Sequence, residues 1–114
     1  MATEKQRKSK KQEMRITKSF REIKEEAKRM MASGALWFAK SDVVTKRFRV
    51  ECKTKEQPTK SITVKKEWFE KIQREAFESN KVGILAFSFG DGEDFVAMRI
   101  EDFIELISQR PTTS

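Results

Sequence analysis

Ser33–Lys53, SGALWFAKSDVVTKRFRVECK, decides how the rest of this chain is read. Its last seven residues, Arg47 to Lys53, alternate charged and apolar side chains, the period of a half-buried strand. Side chains two apart on a strand share a face and stand about 6.6 Å apart. Glu51 and Lys53 therefore project together, with Phe48, Val50 and Cys52 on the opposite face. Asp42 lies nine residues before Glu51, and a hairpin would bring it alongside on a strand running from Asp42 to Thr45. Two carboxylates beside an ammonium make a site for a divalent metal with an activated water next to it. The same face, with Arg47 and Arg49 added, also fits an ordinary solvated strand surface, and spacing alone leaves both readings open.

Upstream, Ala35 to Ala39 is short and apolar, a first strand or an extended approach to one. Ser33-Gly34 carries the signal of a helix C-terminus. The helix it would close begins near Gln12, because Ile16, Phe20, Ile23, Ala27 and Met30 recur at spacings of four, three, four and three. Extending that stripe back by three residues lands on Glu13, which then points toward the sheet, whereas Glu22, Glu25 and Glu26 flank the stripe or face away. A carboxylate on the buried side needs a partner or a metal; it can equally be an acid favoured at a helix N-terminus by the macrodipole. Met1 to Lys11 is basic and almost free of apolar residues, and reads as a mobile arm able to touch phosphates.

Downstream, Thr54 to Ser61 contains Pro58 and reads as a loop, with Lys53, Lys55, Lys60 and Lys65 in or beside it. Val64 to Ser79 predicts a second helix, its stripe formed by Trp68, Phe69, Ile72, Ala76 and Phe77 and its end marked by Asn80. Val82 to Phe89 is nearly continuous in apolar residues, as for a central strand covered on both faces. Gly90-Asp91-Gly92 is a turn, Phe95 to Ile100 a strand, and Glu101 to Ser108 a helix closed before Pro111. Most aromatic residues fall on these stripes and belong to the core; Trp37 and Phe38, next to the site, could also stack on a base. The order is helix, three strands, helix, two strands, helix: an α/β fold with one mixed central sheet flanked by helices. It occupies residues 12–110, between the arm at 1–11 and a tail at 111–114.

At 114 residues the chain is most simply one domain. It has no apolar run near the roughly 20 residues that span a bilayer and no apolar leader segment, so a soluble, unexported protein with no membrane partner is expected. The lone Cys52 fits a reducing cytoplasm. With no histidine and one cysteine, tetrahedral zinc sites and Ser-His or Cys-His catalysis are excluded, which leaves carboxylates, lysine, serine or a bound hard cation. The net charge of +7 is unevenly spread: residues 1–30 carry eleven Lys/Arg against five Asp/Glu, and residues 91–114 carry two against six. The basic part lies with the candidate site, which suits an approaching polyanion.

An acid on the first helix, Asp on the second strand and Glu-x-Lys on the third resemble the PD-(D/E)xK nucleases, whose core is restriction-endonuclease-like. The likeness is closer to archaeal Holliday junction resolvases and to small resolvase-like proteins of bacteriophages. It rests on Ser33-Gly34-Ala35, Lys40-Ser41-Asp42-Val43, Val50-Glu51-Cys52-Lys53 and Lys11-Gln12-Glu13, and covers roughly residues 11–107. The resemblance implies that Asp42, Glu51 and the Cys52 backbone carbonyl ligate Mg²⁺ or Mn²⁺, and that Lys53 positions or activates the attacking water. It implies that Glu13 holds a water of the metal or a second metal, and that Ser33 contacts the scissile backbone. Glu13 lies further from Ser33 than in the phage-type pattern, so Glu22 is a second candidate for the helix acid. The usual Gly before the Asp is Ser41 here, which an extended backbone would tolerate.

The function expected is a metal-dependent, structure-selective DNA endonuclease acting on four-way junctions or other branched DNA, in a bacterial, archaeal or phage-infected cytoplasm. Lys8, Lys10 and Lys11 of the arm, with Lys40, Lys55 and Lys60, would hold the phosphate backbone. A two-fold homodimer is expected by analogy, since a symmetric cut takes two active sites. The alternatives are a non-catalytic nucleic-acid-binding module of the same fold, or a nuclease acting on ordinary duplex, nicks or ends. A small RNA reader fits less well, because no aromatic-rich strand motif is present.

Overall fold

The computed structural model of the protein describes residues 3–30 and 41–108. The elements are α1 (Glu4–Glu22), β1 (Ala27–Arg29), β2 (Val43–Thr45), β3 (Phe48–Thr54), α2 (Lys66–Glu78), β4 (Val82–Ser88), β5 (Asp94–Ala97) and α3 (Ile100–Ser108). The strands form one five-stranded sheet in the order β1-β2-β3-β4-β5. Only β3 and β4 run parallel, in a register that sets Glu51 opposite Leu85; the other pairs are antiparallel. The α/β order and the mixed sheet are those expected of a restriction-endonuclease-like core.

The first helix differs from its expected bounds at both ends. Residues 4–11 are not an arm but the first two turns of α1. Thr3 and Gln6 form a reciprocal capping box, Gln6 N–H donating to Thr3 Oγ1 at 3.1 Å and Thr3 N–H to Gln6 Oε1 at 2.9 Å. The lysines that follow are good helix formers. The helix ends at Ile23 rather than at Ser33-Gly34, and Lys24 (φ 63°) turns the chain back. Ile23 is therefore exposed, and Ala27, which matched the helical period, is buried on β1 in the same core as Ile16. A left-handed lysine gives no sequence signal of the kind Gly provides. The expected first strand, Ala35 to Ala39, lies outside the described residues together with Ser33, Lys40, Trp37 and Phe38.

The two helices cover opposite faces of the sheet. On the α1 side, Ile16 packs with Val43, Phe48, Val50, Ile84 and Ala86, with Cys52 at the margin. On the α2 side, Ile72 and Ala76 lie against β4, whose Leu85 is fully buried. Gly83 permits that approach, since a Cβ there would stand 2.8 Å from the Ile72 carbonyl oxygen. β4 is thus covered on both faces, as its composition indicated, although the middle strand of the sheet is β3 and β4 lies between β3 and β5. One reading of the stripe fails, since Phe77 is 86% exposed; α3 buries none of its residues, leaving Ile100, Phe103, Ile104 and Ile107 open. Among the described residues no helix is long and apolar enough to cross a membrane.

Gly83→Ala should force α2 off the sheet and destabilise the fold by about 1–3 kcal/mol, read as a lower urea midpoint with an unchanged slope.

Candidate active site

The site is built where β2 stops and β3 continues. Val43 opposes Val50 in the antiparallel register, and Asp42, one residue before β2 rather than on it, donates its N–H to the Val50 carbonyl at 2.8 Å. Beyond Val50, β3 has no β2 residue beside it. The Asp42 carboxylate occupies that edge, accepting the Cys52 N–H at 2.8 Å. Strand alternation directs the Cys52 carbonyl to the same edge as its N–H. Glu51 and Lys53 share the opposite face from Val50, toward α2, and their side chains meet at 3.2 Å. Lys53 Nζ also lies over the Trp68 ring, 4.7 Å from its centroid.

Glu51 is buried and is gripped from a second side by Lys71 of α2, whose ammonium is 3.1 Å from Glu51 Oε1 and 3.9 Å from Glu75 Oε2. Glu75 is itself buried and accepts a hydrogen bond from Ser41 Oγ at 2.7 Å. From the other side of the sheet, Glu13 of α1 approaches the cluster, paired with Arg29 of β1 at 3.3 Å. The inward direction read from the stripe is correct, and the partner is an arginine. Glu22 is exposed at the far end of α1.

The acids feel one another. Burial and the Glu51 charge, with a smaller push from Glu13, raise Asp42 to about 6, against the lowering effect of the Cys52 N–H and Lys71. Burial likewise raises Glu13, opposed by Arg29 and reinforced by Glu51. Burial, then the charges of Asp42, Glu13 and Glu51, raise the Cys52 thiol so that it stays protonated. Burial would depress Lys71, but Glu51, Glu75 and Asp42 outweigh it and leave the ammonium more firmly protonated.

Oxygen donors of this kind suit a hard divalent cation, and the mutual repulsion that raises Asp42 is what a cation between the acids would reverse. Among the described residues, however, no three such side chains converge closely enough to enclose a metal, and ammonium groups take that place on Glu51.

A family model described as "Phage putative PDDEXK endonuclease" matches residues 4–113. The chain belongs to this family. Asp42 and the Glu51-Cys52-Lys53 stretch lie together at the end of β3. The description places the chain among phage nucleases and does not extend to four-way junctions. A search of curated proteins gives no match.

Lys71 and Glu75 were not singled out in the sequence, and Gln12 was named only within Lys11-Gln12-Glu13. Lys71 and Glu75 carry the spacing of a helical ion pair, one turn on from Trp68, yet nothing local indicates that they face Glu51. Gln12 is fully buried and donates through Nε2 to the carbonyls of Lys53 (2.9 Å) and Ala86 (3.3 Å) and to Asp94 Oδ1 (3.3 Å). Its spacing of four from Ile16 and eight from Phe20 was the available signal. Ser41 is not extended: its φ is 62°, the region glycine favours. Its buried bond to Glu75 offsets a strain of about 1–2 kcal/mol.

Two outcomes are expected. Ser41→Gly removes strain and one hydrogen bond together and should be close to neutral, whereas Ser41→Ala keeps the strain, leaves Glu75 short of a donor and should cost about 1–3 kcal/mol in urea unfolding. Asp42 should titrate near pH 6 by carboxyl carbon NMR in metal-free protein. Because its folded pKa lies above the ordinary 3.8, its contribution to stability is complete below about pH 4 and is lost as pH rises through 6. Asp42→Asn should therefore flatten the stability profile over that interval.

Proposed function

We propose that the protein is a metal-dependent endonuclease that hydrolyses phosphodiester bonds in branched DNA, four-way junctions being the substrate to test first. The observation that carries the reading is the grouping of Asp42, Glu51 and Lys53 at the end of β3 in a chain of this nuclease family. Asp42, Glu51 and the Cys52 carbonyl would hold Mg²⁺ or Mn²⁺, with Glu13 behind them. A cation bound there supplies Lewis acidity toward a phosphate oxygen and lowers the pKa of a water. Lys53, steered by Glu51 and the Trp68 ring, directs its ammonium toward the water and toward charge developing on the phosphoryl group. Asp42 would bind the cation only when ionised, so protons should compete with the metal and weaken its binding as pH drops below about 6.

Lys10, Lys11, Lys55 and Lys60 are exposed and remain candidates for phosphate contact, giving salt-dependent binding. Lys8 is partly committed, donating to the Gly90 carbonyl at 2.9 Å. Symmetric cutting of a junction would take two copies of the site, hence a two-fold dimer.

One observation favours a second reading, a binding module without catalysis: Glu51 is already neutralised by Lys53 and Lys71, as in a structural ion-pair network. The experiment is cleavage of a labelled four-way junction beside linear duplex of the same sequence, with Mg²⁺ or EDTA. Paired nicks in the junction alone are expected, lost with EDTA and lost in Glu51→Ala and Asp42→Ala, while DNA binding by both variants is kept or tightened by the removal of a negative charge. Cleavage of the duplex at the same rate would make it a general nuclease. Binding without cleavage in Mg²⁺ would favour the module.

A further inference from the structure

Asp42 and Glu51 are linked not only at the end of β3 but also through α2. Glu51 contacts Lys71, Lys71 contacts Glu75, Glu75 accepts from Ser41, and Ser41 is the residue whose left-handed backbone delivers Asp42. Glu51 and Glu75 are buried, while Lys71 remains about half-exposed, at 46% of its side chain. The ammonium therefore sits where solvent reaches the acids, one helical turn before Glu75 and free to withdraw along its own flexible stem. A buried carboxylate without a counter-charge is costly, so in the metal-free protein some cation has to remain on Glu51.

We propose that Lys71 is a positioning residue acting as the resident cation of this cluster: it holds Glu51 and Glu75 when no metal is bound and gives up Glu51 to a divalent cation. The inference rests on the metal-site reading of Asp42 and Glu51. It makes metal binding a replacement of one cation by another, at a site kept in shape beforehand by Glu75 and Ser41. Lys53 stays on Glu51 in both states, because its ammonium is also held over Trp68. Lys71 and Lys53 thus divide two tasks that an isolated Glu-x-Lys pair would leave to one lysine.

The test is calorimetric titration of DNA-free protein with Mn²⁺, for the parent, Lys71→Met and Lys71→Arg, together with urea midpoints with and without Mn²⁺. Lys71→Met should be less stable than the parent without metal yet bind Mn²⁺ up to about fivefold more tightly, the limit set by the loss of a partly exposed ion pair. It should therefore gain more stability from saturating Mn²⁺ than the parent does. Lys71→Arg should return the affinity toward that of the parent. A purely structural lysine would lower stability without raising affinity, so Mn²⁺ binding by Lys71→Met that is equal to or weaker than the parent's overturns the inference alone. Absence of Mn²⁺ binding by the parent itself overturns both the inference and the metal-site reading beneath it.

Discussion

The Cys52 N–H has no β2 residue opposite it, and the Asp42 carboxylate that takes the place of the missing strand is the interaction on which the site depends. An N–H left bare at that buried edge would cost as much as a lost hydrogen bond, so the strand end and the carboxylate are fixed together. Once Asp42 is held there, it stands close enough to Glu51 for the two charges to repel. A requirement of backbone satisfaction thereby creates a concentration of negative charge. The raised Asp42 carboxyl is the electrostatic consequence.

Three elements supply the charges that balance it. Arg29 on β1 takes Glu13, Lys53 on β3 takes one oxygen of Glu51, and Lys71 on α2 takes the other. Each cation is only partly buried while Glu51 is nearly closed off from water, an asymmetry that leaves the cations more able to move than the acid. The packing around them is rigid. Gly83 brings α2 within van der Waals reach of β4, and Gln12 ties α1 to the ends of β3 and β4 through the Lys53 and Ala86 carbonyls. The Gln12 Oε1 is the one buried side-chain acceptor among the described residues without a hydrogen-bond partner. The amide is thus oriented by its N–H donors, which reach Lys53 on β3, Ala86 on β4 and Asp94 on β5.

Glu51, Lys53 and Asp42 were legible because their message is local: alternation on a strand and one β-branched strand before it. The helix acid was legible because Ile16 and Phe20 set a face and Glu13 falls on it. What misled was the continuation of that stripe through Ile23, Ala27 and Met30. Apolar residues at spacings of three and four look alike whether they lie on one helix or on a helix and a strand that fold onto the same core. Ala27 is buried for the second reason. The lysines before Gln12 were misread in the opposite direction, since basic residues without apolar neighbours suit both a solvated arm and the exposed turns of a capped helix.

By itself the sequence determined the α/β order, the strand bearing Glu51 and Lys53, the inward acid at position 13 and the exclusion of histidine- or thiol-based chemistry, all of which follow from periodicity and residue type along a short stretch. Only the tertiary structure decided that Lys71 faces Glu51, that Glu75 bonds Ser41 and that Ser41 is left-handed. Those relations join residues 20 to 34 positions apart through the packing of α2 on the parallel β3–β4 pair. No local pattern encodes which side chains such packing brings together, because it depends on where Gly83 lets the helix come to rest.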